Sequence, residues 1–183
     1  CDYRASQEEI YQTLRRITDP LDRAWAKLEK ADRIVIKFNM MKLRARLHYY
    51  FGRRRELVDD MVAHAVLRLL RERTTAPIFA TDTNPYTKDH LMGDNFNYAN
   101  ILKKYDVGFI DSNAAPFKSY EVPGGGMMFD RYHLSACFDG AEVVSVAKMK
   151  NHLFMGVTLC MKNLFGLPPV TPPVGRSRSY YHH

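Results

Sequence analysis

Short apolar runs alternate along the chain with longer stretches in which apolar residues recur at helical spacing. Runs rich in Val, Ile and Phe predict four strands, at residues 32–39, 77–82, 107–111 and 142–147. The last of these runs is almost continuously apolar. We therefore expect its strand to be buried on both faces of a sheet.

Helical patterns with clear start signals surround these strands. Ser6 and Glu9 form a capping box that starts one helix, and Asp19 with Pro20 is expected to start a second. Residues 56–73 and 95–105 predict two more helices. Strands that alternate with helices through short loops imply right-handed crossovers. The predicted fold is α/β, a mainly parallel open sheet flanked by helices on both faces.

Two further extended runs, at residues 118–122 and 127–133, are joined by Pro123 and three consecutive glycines. Three glycines in a row are also a feature of phosphate-binding loops. No helix is predicted after them, however, and no lysine–serine pair follows. These runs therefore predict a β-hairpin inserted into the fold.

Residues 142–166 carry the densest set of polar side chains next to a predicted strand. Lys148, Lys150, Asn151 and His152 follow the apolar run directly. A helical pattern then begins, and Gly166 ends it. Its apolar stripe consists of Val157, Cys160, Met161 and Leu164. Thr158 and Lys162 are four residues apart and are expected to point together from another face of that helix.

Polar residues also mark the ends of two other predicted strands. Lys37 and Asn39 are two residues apart, so alternation places them on one face, and Asp82 ends the next strand. Ligands of open α/β sheets bind beyond the carboxyl ends of the strands. We predict one site there, with catalytic Lys150, His152 and Lys162 and substrate-binding Lys37, Asn39, Asp82, Lys148, Thr158 and Asn163. The structural alternatives are a rim lysine at 37, a turn-forming Asn39 and a capping Asp82.

These segments resemble a known family. K-M-K-N-H at residues 148–152 and V-T-L-C-M-K-N-L-F-G at 157–166 are similar to the P-K-x-K-T-H and V-T-x-x-x-K-N-x-x-G patterns of domain-of-unknown-function family 362. I-V-I-K-F-N at 34–39 is similar to the family's V-x-I-K-P-N, and A-T-D at 80–82 lies where the family has G-D. The departures from these patterns are Ala147, Asn151, Phe38 and the Ala80-Thr81 pair.

The resemblance implies a fold and a site more than it implies a reaction. Domains of this family continue past the K-N-x-x-G motif, so residues 1–183 are expected to form a single but incomplete α/β domain. Some relatives carry an appended iron–sulfur domain, which suggests an accessory role in redox systems. This chain has no iron–sulfur or zinc motif, because Cys1, Cys137 and Cys160 are widely spaced, and the cofactor stays unknown.

Composition narrows the class of partner. The chain has 183 residues, 46% of them hydrophobic, and a formal charge of +7, which favours an anionic partner. No apolar run is long enough for a membrane span. Free cysteines and the lack of a leader pattern favour the cytoplasm. No feature indicates an oligomeric state.

Much of the positive charge lies between the first strand and the following helix. Basic residues alternate there with Tyr49, Tyr50 and Phe51, a combination that suits single-stranded nucleic acid, although a solvated loop is the simpler interpretation. The basic residues are Lys42, Arg44, Arg46, Arg53, Arg54 and Arg55.

Two histidines elsewhere are assigned no chemistry. His64 is predicted to be a surface residue of its helix. His90 lies near Asp89 and Asp94, but their spacing matches no metal-ligand pattern, so no metal is predicted.

The sequence thus supports an anionic small metabolite as ligand, bound or transformed by the lysine, histidine and aspartate side chains. A histidine titrates near neutrality and suits acid–base work, and Asn163 suits a developing oxyanion. The alternative is nucleic-acid binding through Arg53, Arg54 and Arg55. A redox accessory role is a third hypothesis, and it rests on the resemblance.

Overall fold

The structure is a computed structural model that describes residues 2–40, 47–83, 98–152, 156–170 and 180–181. Lys42, Arg44 and Arg46, the group around His90 and the start of the helix predicted from residue 95 lie outside the described residues. Five α-helices occur in the described ranges: α1 (Gln7–Thr18), α2 (Asp22–Glu29), α3 (Asp60–Arg73), α4 (Ala99–Lys104) and α5 (Cys160–Leu164).

Four strands form the parallel sheet, in the order β5 (Val107–Asp111), β4 (Ile78–Asp82), β1 (Ile34–Phe38) and β8 (Glu142–Val146). The α/β prediction is confirmed. Three antiparallel hairpins accompany the sheet: β2 (Tyr49–Tyr50) with β3 (Arg53–Arg54), β6 (Phe117–Glu121) with β7 (Arg131–Ser135), and β9 (Lys150–His152) with β10 (Gly156–Thr158).

The core lies between the sheet and the longer helices. Ile34, Ile36 and Phe38 alternate along β1 and pack into the same buried cluster as α1 and α3. Val35 and Lys37 therefore project from the opposite face. On that face α5 covers the sheet, since Asn163 contacts Lys37. Helices thus lie on both sides of the sheet, as predicted.

The helix starts differ from the predictions in two places. The Ser6 capping box is confirmed, but Asp19 ends α1, and α2 begins at Asp22 after Leu21. Helix α3 begins at Asp60 and not at residue 56, because the buried Asp59 side chain accepts a hydrogen bond from the Met61 N–H and caps the helix. Asp59, which lies within the predicted helix, is therefore its buried cap.

The prediction for β8 was wrong in one respect. It is the last strand of the sheet in the described part of the chain, and Val143 is 43% exposed, so the strand is not buried on both faces. The helix predicted from Val157 was also largely wrong. Gly156 has φ +70°, and Val157 and Thr158 belong to β10. Helix α5 is short, and Met161 of the expected apolar stripe is 87% exposed.

His64 is more enclosed than predicted. Its ring packs edge-on against Tyr105 at 5.6 Å, and its Nδ1 is buried with no hydrogen-bond partner among the described residues. Burial lowers the pKa of His64, the positive charge of Lys104 lowers it further, and the Asp60 carboxylate opposes both effects.

We expect this histidine to make folding sensitive to acid. Its pKa is lower in the folded chain than in the unfolded chain, so the unfolded state binds more protons below about pH 6.5. Stability should be unaffected above that pH and fall as the pH decreases from it towards the lowered pKa. Urea unfolding of wild type and His64→Gln between pH 7.5 and about 5 tests this. If the free energy of unfolding falls by the same amount with decreasing pH in both proteins, the expectation is wrong.

Candidate functional site

Lys37 lies at the centre of a buried polar network at the carboxyl ends of β1 and β4. Its side chain is 1% exposed. The ammonium lies 2.8 Å from Asp82 Oδ1, and it donates hydrogen bonds to Asn163 Oδ1 at 3.0 Å and to the Phe38 carbonyl at 2.7 Å. A lysine has three N–H donors, and these three acceptors match them. The charge is thus compensated inside the fold.

Asp82 joins the end of β4 to the chain that follows β1. Its Oδ2 accepts a hydrogen bond from the Met40 N–H at 3.0 Å, and its Oδ1 accepts one from the Thr83 N–H at 2.8 Å. Each carboxylate oxygen therefore has a backbone donor in addition to the Lys37 pair. This arrangement fixes the two strand ends relative to each other.

Asn39 and Asn163 extend the network to β8 and α5. Asn39 Nδ2 donates to Asn163 Oδ1 at 2.7 Å, and Asn163 Nδ2 donates to the Lys37 carbonyl at 2.9 Å and to Ser145 Oγ at 3.1 Å. Asn163 is almost completely buried. Through this one amide, α5 is tied to the two neighbouring strands β1 and β8.

Gly166 allows the chain after α5 to pass closely over Lys37. A Cβ atom at this position would lie 3.2 Å from Lys37 Cε and 3.3 Å from Lys37 Nζ, closer than ordinary packing. The Gly166 carbonyl accepts a hydrogen bond from the Thr83 hydroxyl, which also lies 2.9 Å from Ser112 Oγ. The absence of a side chain is therefore what lets this segment close over the network.

Lys148 connects the buried network to an open cavity. Its backbone N–H donates to Asn39 Oδ1 at 2.9 Å, which positions the segment after β8. The same residue lines a cavity of about 670 Å³. Among the described residues, the Lys148 ammonium has no hydrogen-bond or ion-pair partner. A cation placed in this way is available to a ligand.

The cavity is lined by apolar and charged side chains. Ile10, Leu14 and Ile17 of α1 form its apolar wall together with Val62 of α3. Sequence analysis assigned no chemistry to α1, so this wall was missed. The aromatic and charged residues of the lining are Tyr3, Tyr50, Arg53, Arg54, Arg55, Lys148, Asp2 and Asp59.

Three other predicted site residues share one face of the β9–β10 hairpin. Lys150 and His152 alternate along β9, and Thr158 lies opposite Lys150. The Lys150 ammonium donates to the Glu56 carbonyl at 2.8 Å. Thr158 is buried, and its hydroxyl has no hydrogen-bond partner in the described ranges.

Lys162 does not lie beside Thr158 on a helix face, as had been predicted, because Thr158 is in a strand. The Lys162 ammonium lies 4.5 Å from the centroid of the ring of Phe165, the residue that follows α5. Of the predicted site residues, the hydrogen bonds and the ion pair described above join Lys37, Asn39, Asp82, Asn163 and Lys148. The chemical roles assigned to all of these residues stay predictions.

Arg53 and Arg54 mainly stabilise the fold around the β2–β3 hairpin. Arg53 donates to the Tyr3 carbonyl at 2.8 Å and pairs with Asp59 at 2.8 Å. Arg54 is buried, pairs with Asp60 at 2.6 Å and lies 4.3 Å from the Tyr98 ring centroid. Arg55 is the exposed member of the three.

Comparison with known proteins identifies the family. The model of the domain of unknown function DUF362 matches residues 34–183. The chain belongs to the DUF362 family. The network described above joins the DUF362-like segments at residues 34–39, 80–82, 148–152 and 157–166, so residues that are far apart in the sequence meet at Lys37.

One curated relative is the thylakoid-associated protein sll1697 of Synechocystis sp. It is 24% identical over 177 residues, which are 94% of this DUF362 chain and 49% of the relative. The chain thus spans about half the length of that protein. No solved structure gives a significant match. Across the described residues, no helix has both the length and the apolar character that crossing a bilayer requires.

Proposed function

We propose that this DUF362 chain binds an anionic small molecule at the carboxyl edge of its sheet, with Lys148 as the contacting cation. The observation that carries the proposal is Lys148, which lines the cavity of about 670 Å³ and whose ammonium has no hydrogen-bond or ion-pair partner in the described part of the chain. Ligand cavities typically have volumes of about 300–1,000 Å³ and a few placed polar groups, and this one fits that description.

The buried network supports this function indirectly. Lys37 already has an acceptor for each of its three donors, so we assign it a positioning role. The same role suits Asp82 and Asn163. Asn39 links the network to Lys148, because its Nδ2 donates to Asn163 and its Oδ1 accepts from the Lys148 N–H. The network thereby holds Lys148 at the cavity.

For a reaction on the bound anion, we propose Lys150 and His152 as the acid–base groups. They lie on one face of β9, two and four residues after Lys148, and an imidazole exchanges protons near neutral pH. Thr158 on the same face supplies a buried hydroxyl for substrate binding. Lys162 keeps its predicted catalytic role from α5. The class of substrate is a carboxylated or phosphorylated metabolite.

Lys148→Gln is expected to weaken binding of inorganic phosphate or succinate by about tenfold or more, since a hydrogen bond to a charged group contributes about 1.5–3 kcal/mol. Isothermal titration calorimetry measures the change directly. The matched control is Lys103→Gln, which removes the same charge from an exposed position on α4 and should leave affinity unchanged. Equal affinities for Lys148→Gln and wild type would refute the proposal.

The nucleic-acid alternative has the exposed rings of Tyr49, Tyr50 and Phe51 in its favour. Two of its three arginines are already engaged, however, since Arg53 and Arg54 pair with aspartates at the start of α3. The redox accessory hypothesis rests on the family resemblance alone.

A further inference from the structure

A second cavity of about 430 Å³ adjoins the first, and its lining is almost entirely apolar. Leu14 of α1 and Val62 of α3 line both cavities, so the two are neighbours. The second cavity continues between Trp25 of α2 and the β8 residues Val144 and Val146. We call the two neighbouring cavities together the groove. It lies on the face of β8 that packs towards α1 and α3.

The groove exists because β8 is the last strand of the described sheet. Val144 and Val146 are only partly buried, although they face the same core as Ile36 and Phe38. Covering apolar surface that is open to water is favourable by about 25 cal/mol of free energy per Å². An apolar molecule in this groove would obtain that free energy.

Charge marks one point of the groove. Ala147 lines the second cavity and the next residue, Lys148, lines the first. Val144 precedes Lys148 by four residues, which corresponds to about 13 Å of extended chain. A molecule with an anionic group at Lys148 can therefore extend its apolar part along Val146 and Val144 towards Trp25.

We propose that the groove binds a single-chain alkyl carboxylate, with its carboxylate on Lys148 and its alkyl chain in the second cavity. The proposal rests on the anion-binding function of Lys148 and specifies the ligand class. Charge complementarity at Lys148 selects an anion over the corresponding alcohol. The apolar lining selects a chain over a small metabolite.

The test compares octanoate, decanoate and dodecanoate below their micelle concentrations, with decanol and succinate as reference ligands. Binding to wild type is measured by calorimetry. Affinity should rise about three- to fourfold with each methylene that enters the groove. Lys148→Gln should lower decanoate affinity about tenfold or more and leave decanol affinity unchanged.

Ala24→Phe and Ala26→Phe form a matched pair. Both alanines are exposed on α2, but only Ala24 lines the groove. Ala24→Phe should abolish the chain-length dependence, whereas Ala26→Phe should preserve it. Thermal unfolding of both variants verifies that they are folded.

Affinity that does not change with chain length would overturn the groove proposal, as would equal losses in the two phenylalanine variants. Succinate binding that still depends on Lys148 would then leave the proposed function standing. Sedimentation of wild type and Ala24→Phe tests whether a second copy of the chain covers the groove instead. If wild type is a dimer that Ala24→Phe dissociates, a second copy covers the groove and the alkyl-chain proposal is wrong.

Discussion

Asp82→Asn is expected to lower the free energy of unfolding by about 3–5 kcal/mol, the usual cost of removing one partner of a buried ion pair. The substitution keeps the shape of the side chain but leaves the Lys37 ammonium, which is 1% exposed, without its counterion. Urea denaturation followed by circular dichroism provides the measurement.

Asp139→Asn is the matched control for this change. Asp139 pairs with Lys118 at 2.7 Å, almost the same distance, but both side chains are about half exposed. An exposed pair contributes about 1 kcal/mol or less. Lys37→Met combined with Asp82→Asn should also be less destabilised than Asp82→Asn alone, because no buried charge is left. Equal costs at Asp82 and Asp139 would show that the Lys37 pair is not structurally important.

Asn163→Ala is expected to cost about 3 kcal/mol or more, since each buried polar group left without a partner costs about 1–3 kcal/mol. The substitution removes the acceptor of the Asn39 amide, one acceptor of Lys37 and the donor to the Lys37 carbonyl. Phosphate affinity should fall as well, because Asn39 would no longer hold the Lys148 backbone firmly.

The comparison for this variant is Asn151→Ala. Asn151 lies in β9 and is exposed, so its loss should change stability by about 0.5 kcal/mol or less. Unfolding and phosphate titration are measured on both proteins. A folded Asn163→Ala variant with wild-type stability and affinity would contradict the positioning role of the network.

The strands of the sheet could be predicted from the sequence because each is a short β-branched run that ends in polar residues. That pattern located Lys37, Asn39 and Asp82 at one edge. In the structure Lys37 pairs with Asp82, and Asn163 links Lys37 to Asn39. Ser145 is a residue that the prediction missed. In the structure it is the register partner of Lys37. Its signal in the sequence is that it interrupts the apolar run at residues 143–146.

The segment after β8 could not be predicted in the same way. Val157, Cys160, Met161 and Leu164 have helical spacing, but Gly156 takes a left-handed conformation and starts a strand of only three residues. Periodicity cannot distinguish such short elements. The wall that α1 contributes to the cavity depends on its packing against α3, which is distant in the sequence, and no local pattern predicts that packing.

The hydrogen bond between Lys37 and Asn163 joins residues 126 positions apart. Closing so long a loop costs conformational entropy before any contact can repay it, and folds dominated by such contacts assemble slowly. We therefore expect the contact between Lys37 and Asn163 to form late in folding, after β1 and β8 have paired. A nascent chain that ended before Asn163 would contain Lys37 with Asp82 and the Phe38 carbonyl, but without the amide acceptor that ties it to α5.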